Sequence, residues 1–297
     1  MNRYVRAALS PTKSLFETAS ILSPNFFWNR VNRLARSQGF DRLYFCLSFD
    51  CDTEKDADVV ESVDSKLREM GLLPSYAVPA ELLKQQVSTY SKLRDKGAVF
   101  LNHGYQIHTV INEQTGHYES CLSYDALTKK EVEEDVFQGH LILKDFLGET
   151  PKGFRSPHFG TFQRASELRF LHSYLKTLGY EYSSSTAPVY SSLYGPVFRK
   201  FGLWEVPVTG TASRPREIYD SWSFFCAPSR RWKDGDYYKE AERLVSVKKK
   251  YQLVGLLNCY ADPSQVWNRA EFFDAMALLS KHAESINLDQ SFSLLDR

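Results

Sequence analysis

The sequence predicts an α/β chain whose parallel strands curl into a closed or nearly closed β/α barrel. Three observations lead there. From residue 41 onward, short apolar runs alternate with helical patterns in about six or seven units, and strand–helix–strand order means parallel strands joined by right-handed crossovers. The chain has 297 residues, of which 43% are apolar and 25% charged, enough to bury one large core without disulfides or structural metal. The regular pattern begins only at residue 41. Residues 1–40 are therefore set apart as an N-terminal helical extension, and 41–297 are expected to form one barrel domain.

Taken in order, residues 29–37 have helix spacing, with Val31 and Leu34 on one side and arginines elsewhere. This arm is expected to cap the bottom of the barrel. Residues 43–49 are apolar enough for a buried strand and lead into Asp50. Residues 56–70 carry Val59, Val63 and Leu67 at helical spacing, and Gly71 stops them. Pro74 and Pro79 bracket a short strand; 80–96 read as one helix closed by Gly97; 98–102 are a strand ending at His103. The clearest helix is 127–147. Thr128 and Glu131 have capping-box spacing, Val132, Val136, Leu143 and Phe146 form its apolar stripe, and Gly148 ends it. A short element at 153–156 precedes Pro157, and a helix at 165–178 stops at Gly179. Residues 180–185 and 203–208 read as strands, 209–235 as loop, 236–251 as a charged helix and 253–259 as an apolar strand. Asp262-Pro263 reads as cap and first position of a helix running to about residue 282.

Composition excludes several classes. Net charge is +1, from 37 basic and 36 acidic residues, so nothing favours nucleic acid or an anionic membrane surface. Cysteines stand at 46, 51, 121, 226 and 259, an odd number without a Cys-x-x-Cys, which argues against a disulfide framework or structural zinc site and for a reducing compartment. No stretch reaches the ~18 apolar residues of a membrane span, and the first 39 residues lack a signal-peptide core. A cytoplasmic location is expected.

In β/α barrels, functional groups collect where strands end. The polar residues at predicted strand ends are Asp50 and Asp52, then His103 and His108, then Arg155, then Asn258 to Asp262. Two carboxylates one residue apart repel unless a cation lies beside them. An aspartate with two histidines is a three-ligand set for a catalytic Zn²⁺, and a second aspartate then serves as base for the bound water. Singly, each residue has a plainer reading: aspartates as turn residues, a histidine as a satisfied core group, an arginine as surface. Their joint occurrence at successive strand ends favours the site. His117, His140, His172 and His282 have no partner motif and read as structural. Cys51, between the aspartates, is expected to point into the core by strand alternation, and it has no paired base.

The order Ser-Phe-Asp50-Cys-Asp52, Asn-His103-Gly-Tyr-Gln-Ile-His108, Gly-Phe-Arg155-Ser-Pro resembles the polysaccharide deacetylase family, the NodB-homology or carbohydrate-esterase-4 type, over roughly residues 42–282. That resemblance implies a distorted (β/α)7 barrel. It also implies Asp50 as catalytic base, Asp52, His103 and His108 as ligands of a divalent metal, Zn²⁺ foremost, and Arg155 as the brace of the base. The reaction implied is hydrolysis of an N-acetyl amide on a sugar.

The chain departs from the family pattern in three places. The histidines are five apart where the family has four. The last motif, Leu256-Leu-Asn-Cys-Tyr260-Ala-Asp262, lacks the histidine that serves as general acid, for which His158 is the stand-in. The Asp-x-x-Asp-Trp motif is blurred into Glu217-Ile-Tyr-Asp220-Ser-Trp222, where Trp222 is a candidate wall of a sugar pocket. The expected substrate is an N-acetylated sugar or sugar-nucleotide precursor of surface polysaccharide or O-antigen. The alternatives are an allantoinase-like cyclic amide hydrolase and a degenerate glycan-binding barrel.

Overall fold

The computed structural model describes residues 11–227 and 231–295. Strand β1 (Leu43–Asp50) is buried along its whole length. Its side chains alternate between two layers. Phe45, Leu47 and Phe49, with Cys51 just beyond the strand, pack outward under the helices, while Tyr44 and Cys46 join an interior cluster with Ala77, Leu101, Tyr182 and Leu256. The period of two puts Ser48, Asp50 and Asp52 on that interior side.

Around β1 the sheet runs β10 (Gly255–Ala261), β1, β2 (Ser75–Val78), β3 (Val99–Asn102), β6 (Gly153–Phe154), β7 (Tyr182–Ser183), β9 (Leu203–Glu205), all parallel. An antiparallel β8 (Phe198–Lys200) edges β9, and β11 (Glu284–Ser285) adds to the start of β1. The sheet curls until its ends meet: Thr209 N–H donates to the Asn258 carbonyl at 2.7 Å, and Asn258 N–H donates to Thr209 Oγ1 at 2.7 Å. Register aligns Asp50 with Ala77, Asn102 with Phe154, Phe154 with Ser183 and Ser183 with Glu205. The C-terminal ends of the strands therefore form one mouth.

Helices α1 (Pro11–Leu22) and α2 (Pro24–Ser37) precede the barrel. α2 is tied to it by Trp28, whose indole donates to the Ala212 carbonyl, and by Asn32, which bonds the Tyr251 carbonyl and the Val254 amide. The crossovers are α3 (Glu54–Glu69), α4 (Ala80–Gln85) with α5 (Val87–Asp95), α6 (Lys129–Leu147), α7 (Ala165–Thr177), α8 (Val189–Tyr194) and α9 (Asp236–Tyr251); α10 (Pro263–Val266), α11 (Ala270–Ser280) and α12 (Leu288–Ser293) complete the chain. Thr128 caps α6 through the expected box with Glu131, and Gly148 ends it in the left-handed region at φ 75°.

Several boundaries differ from the sequence expectation. The helix expected over 80–96 breaks at Gln86, whose ψ of 31° leaves the helical region. The helix expected to follow Asp262 breaks after Val266 and restarts at Ala270. The apolar stripe of α3 runs through Val60, Val63 and Leu67, with Val59 only half-buried. The strand expected over 203–208 ends at Glu205, ahead of Pro207, which cannot donate to a ladder. A hairpin, β4 (Thr109–Ile111) with β5 (Tyr118–Ser120), and α8 lie in stretches with no readable period. No helix among the described residues is long and apolar enough to cross a membrane.

Candidate metal centre

Asp50 ends β1 and Asp52 lies two residues on, so both carboxylates face the mouth while Cys51 is fully buried behind them. His103 follows β3, two strands away. His108 is reached by a loop rather than a helical turn, which absorbs the five-residue spacing. That loop lies tight against α6. Gly104 sits at φ 81°, and a Cβ there would come within 2.2 Å of Asp135 Oδ2; a Cβ at Gly139 would meet Asn102 Oδ1 at 2.4 Å and the Gly104 backbone at 2.8 Å. Asp135 holds the loop from below, accepting from the Gln106 amide at 2.9 Å and from Tyr124 O–H at 2.7 Å.

The imidazoles meet Asp52 from two directions. His103 Nε2 lies 3.3 Å and His108 Nε2 3.0 Å from Asp52 Oδ1. The two rings are nearly perpendicular, with centroids 4.5 Å apart. His103 Nδ1 faces the Arg155 carbonyl at 2.8 Å, which places its hydrogen there and leaves Nε2 as a lone pair. His108 Nδ1 faces the Gln106 carbonyl at 3.4 Å in the same sense. Asp52 Oδ2 is occupied by Thr109 O–H at 2.9 Å. Asp52 Oδ1, His103 Nε2 and His108 Nε2 are left buried without hydrogen-bond partners, and ligand atoms of these three residues all lie within 4.8 Å of one another. Three converging acceptors need positive charge between them: protons on the imidazoles, or one cation bound by all three. The electrostatics have the same sense. Burial pushes the Asp52 carboxyl up, but His108 and His103 outweigh it and hold the group well below the usual carboxylate range. Burial works against a charged His108, yet Asp52 and then Asp50 raise it. These residues can hold a metal ion.

Asp50 is held differently. Arg155, fully buried after β6, places Nη1 2.6 Å from Asp50 Oδ1. Its Nε donates to the Ser184 carbonyl at 3.1 Å and its Nη2 to Ser184 Oγ at 2.9 Å. The turn carrying Ser184 is fixed in turn by Glu205, whose Oε1 accepts from Ser185 N–H, Thr186 N–H and Thr186 O–H at 2.9 Å each. The other Glu205 oxygen faces His172 Nε2 at 3.1 Å in a buried pair. Asp50 thus faces a guanidinium, with His103 Nε2 4.0 Å from its other oxygen, while the imidazole pair, with any ion it binds, faces Asp52.

Above these groups lies a cavity of about 380 Å³ that includes Asp50, Asp52, Trp222, Tyr260 and Asp262 in its lining. Asp262, read from sequence as a helix cap, makes no capping bond. Its Oδ2 instead accepts from Ser221 O–H at 3.0 Å, and burial, reinforced by Asp56, Asp52 and Asp50, pushes its carboxyl well above the usual range. Asp220 is pushed up to about 6, chiefly by burial. Tyr260 also lines the cavity, and burial followed by the Asp220 charge raises its phenol well above the ordinary value. His158 also lines the cavity, with its ring 5.2 Å from that of His108. Its Nε2 is engaged by Ser120 Oγ at 2.8 Å and the Leu122 carbonyl at 3.0 Å. Burial and then His108 lower its pKa, which works against the proton-donor role expected of it. Its φ of 56° is unusual for a non-glycine residue.

Sequence reasoning missed Ser184, Glu205, Thr109 and Asp135. The capping-box helix carrying Asp135 was legible, but nothing marked that residue as the anchor of the histidine loop.

No protein-family model and no curated protein sequence matches the chain. Solved structures do match by fold. Two are assigned as polysaccharide deacetylases. One, from Mycobacterium smegmatis, gives a TM-score of 0.60 at 13% identity over 86% of this chain and 90% of that one. The other, from Pseudomonas aeruginosa PAO1, gives 0.63 at 8% identity over 84% and 89%. The Puue allantoinase gives 0.61 at 9% identity over 84% and 88%. At such identities the likeness is one of fold: a curled parallel sheet of the (β/α)7 deacetylase kind.

Proposed function

We propose that the protein is a metal-dependent N-deacetylase acting on an N-acetylated sugar. The observation that carries this reading is the convergence of three buried, unpartnered acceptor atoms, on Asp52, His103 and His108, beside a separately braced Asp50. The fold likeness to proteins assigned as deacetylases supports it. Asp52, His103 and His108 would hold the ion, and two imidazoles with one carboxylate suit Zn²⁺. When bound, such an ion polarises an acetyl carbonyl and acidifies water.

The chain's own groups do the rest. Asp50, oriented by Arg155, takes a proton from the attacking water. The water oxygen bonds to the acetyl carbon, the C–N bond breaks, acetate leaves, and the nitrogen gains a proton to become an amine. Asp262 is assigned as the donor of that proton in place of the missing histidine. It lines the same cavity as Asp50, and its surroundings favour the neutral acid. A buried carboxyl that keeps its proton is suited to the acid's work. The likeness to an allantoinase supports a second reading, hydrolysis of a cyclic amide; the unpartnered triad favours the first.

The test is acetate release from N-acetylated sugars by Zn²⁺-loaded protein. Asp50→Asn should abolish turnover with the ion retained, His103→Ala should lose the ion, and Asp262→Asn should cost about 10²–10⁴ in rate. Turnover undiminished after removal of the ion refutes the metal mechanism.

A further inference from the structure

The walls of the cavity say how a substrate can enter. Beside Trp222, three segments form them: the β4–β5 hairpin through Tyr118 and Glu119, the loop after β6 through His158 and Phe159, and the end of β10 with the chain that follows it through Tyr260 and Gln265. Each pair of neighbouring walls is joined. The hairpin meets the β6 loop where Ser120 Oγ and His158 Nε2 bond at 2.8 Å. The β6 loop meets the β10 segment where the Phe159 and Tyr260 rings pack 4.6 Å apart. The β10 segment returns to the hairpin where Ser264 Oγ and Tyr118 O–H bond at 2.7 Å. The site is therefore a well rather than a groove. An interior unit of a polysaccharide needs two gaps in the rim for its two neighbours, and all three seams are closed. The volume of about 380 Å³ sits at the small end of ligand cavities.

The chemistry of the wall narrows the choice further. Among the described residues, no lysine or arginine side chain lines the cavity, and Glu119 stands at its exposed hairpin wall. Arg155, the guanidinium beside Asp50, is fully buried and committed to Asp50 and Ser184. A phosphate or diphosphate on the sugar would find none of the guanidinium or ammonium partners that such groups require.

We infer that the substrate is a single or chain-terminal, uncharged N-acetyl amino sugar that enters the well end-on, and that sugar nucleotides and interior polymer units are excluded. This rests on the deacetylase reading and narrows the precursor expected from sequence by setting aside its nucleotide form.

The experiment compares three probes with Zn²⁺-loaded protein: the methyl glycoside of N-acetylglucosamine, chitopentaose, and uridine-diphospho-N-acetylglucosamine. Acetate is measured and the deacetylated unit of the pentamer is located by mass spectrometry. The methyl glycoside should be turned over, the pentamer at a terminal unit only, and the nucleotide sugar with at least tenfold lower kcat/KM. Deacetylation of interior units, or a nucleotide sugar used as well as the glycoside, overturns the inference while leaving the deacetylase reading intact. Acetate from none of the three overturns both. The exposed Glu119→Lys variant gives an independent check. It should raise the nucleotide-to-glycoside ratio about tenfold, and an unchanged ratio counts against electrostatic exclusion at the wall.

Discussion

Replacing Arg155 with methionine tests the electrostatic arrangement without assuming any activity. The guanidinium is fully buried, lies 2.6 Å from Asp50 Oδ1 and makes two further bonds to Ser184. Methionine fills much of the volume but leaves a buried carboxylate without its counter-charge and the Ser184 acceptors unfilled. Breaking a buried pair by removing one partner costs about 3–5 kcal/mol. For a chain of this size that corresponds to a fall in Tm of roughly 5–8 °C. The measurement is urea and thermal unfolding in chelator, so that no bound metal supplies a substitute charge. The Asp50→Asn, Arg155→Met double variant should recover at least half of the loss, since an amide needs no counter-ion. A single-variant cost below about 1 kcal/mol, or a double variant no more stable than the single, would refute the claim that Asp50 depends on Arg155.

Two predictions concern neighbouring residues. Asp220 is raised to about 6 by burial, so the native state holds its proton more tightly than the unfolded chain does. Its neutral form favours folding at low pH, and stability falls as pH rises from about 4 through 6, by roughly 3 kcal/mol in all; Asp220→Asn should flatten that slope in urea titrations, and a parallel profile would exclude Asp220 as its source. Gly139→Ala should push the 103–108 loop off α6, because the added Cβ would meet Asn102 Oδ1 at 2.4 Å and the Gly104 backbone at 2.8 Å. A stability loss of about 1–3 kcal/mol with at least tenfold weaker Zn²⁺ binding by calorimetry is expected, and unchanged binding would show that the loop tolerates the shift.

The part of the site legible in the sequence is the part set by one strand at a time. Asp50 and Asp52 share a face because strand side chains alternate, and that follows from β1 alone. His103 and Arg155 could be placed because each follows a short apolar run. The supporting residues could not be placed this way. Ser184 matters only because β7 lies beside β6, and Glu205 only because β9 lies beside β7, pairings no local pattern reveals. The hairpin was invisible for another reason: strands of three residues, half-exposed or exposed, leave no periodic trace. Asp262 looked like a cap because Asp-Pro opens many helices; the barrel turns its carboxyl to Ser221 and the cavity instead.

The five-residue histidine spacing and the closed well are one feature. A helical turn after His103 would bring the next side chain on the same face back four residues later. The extra residue lets the chain leave the site extended, so that His108 is immediately followed by β4. Thr109, the first residue of that strand, bonds Asp52, while Tyr118 and Ser120 on its partner strand close two seams of the rim. The hairpin that follows His108 and fixes Asp52 through Thr109 therefore also limits what can reach them. On the metal-dependent reading proposed above, loosening the rim should weaken ion binding as well, which links substrate length and ion affinity through a single structural element.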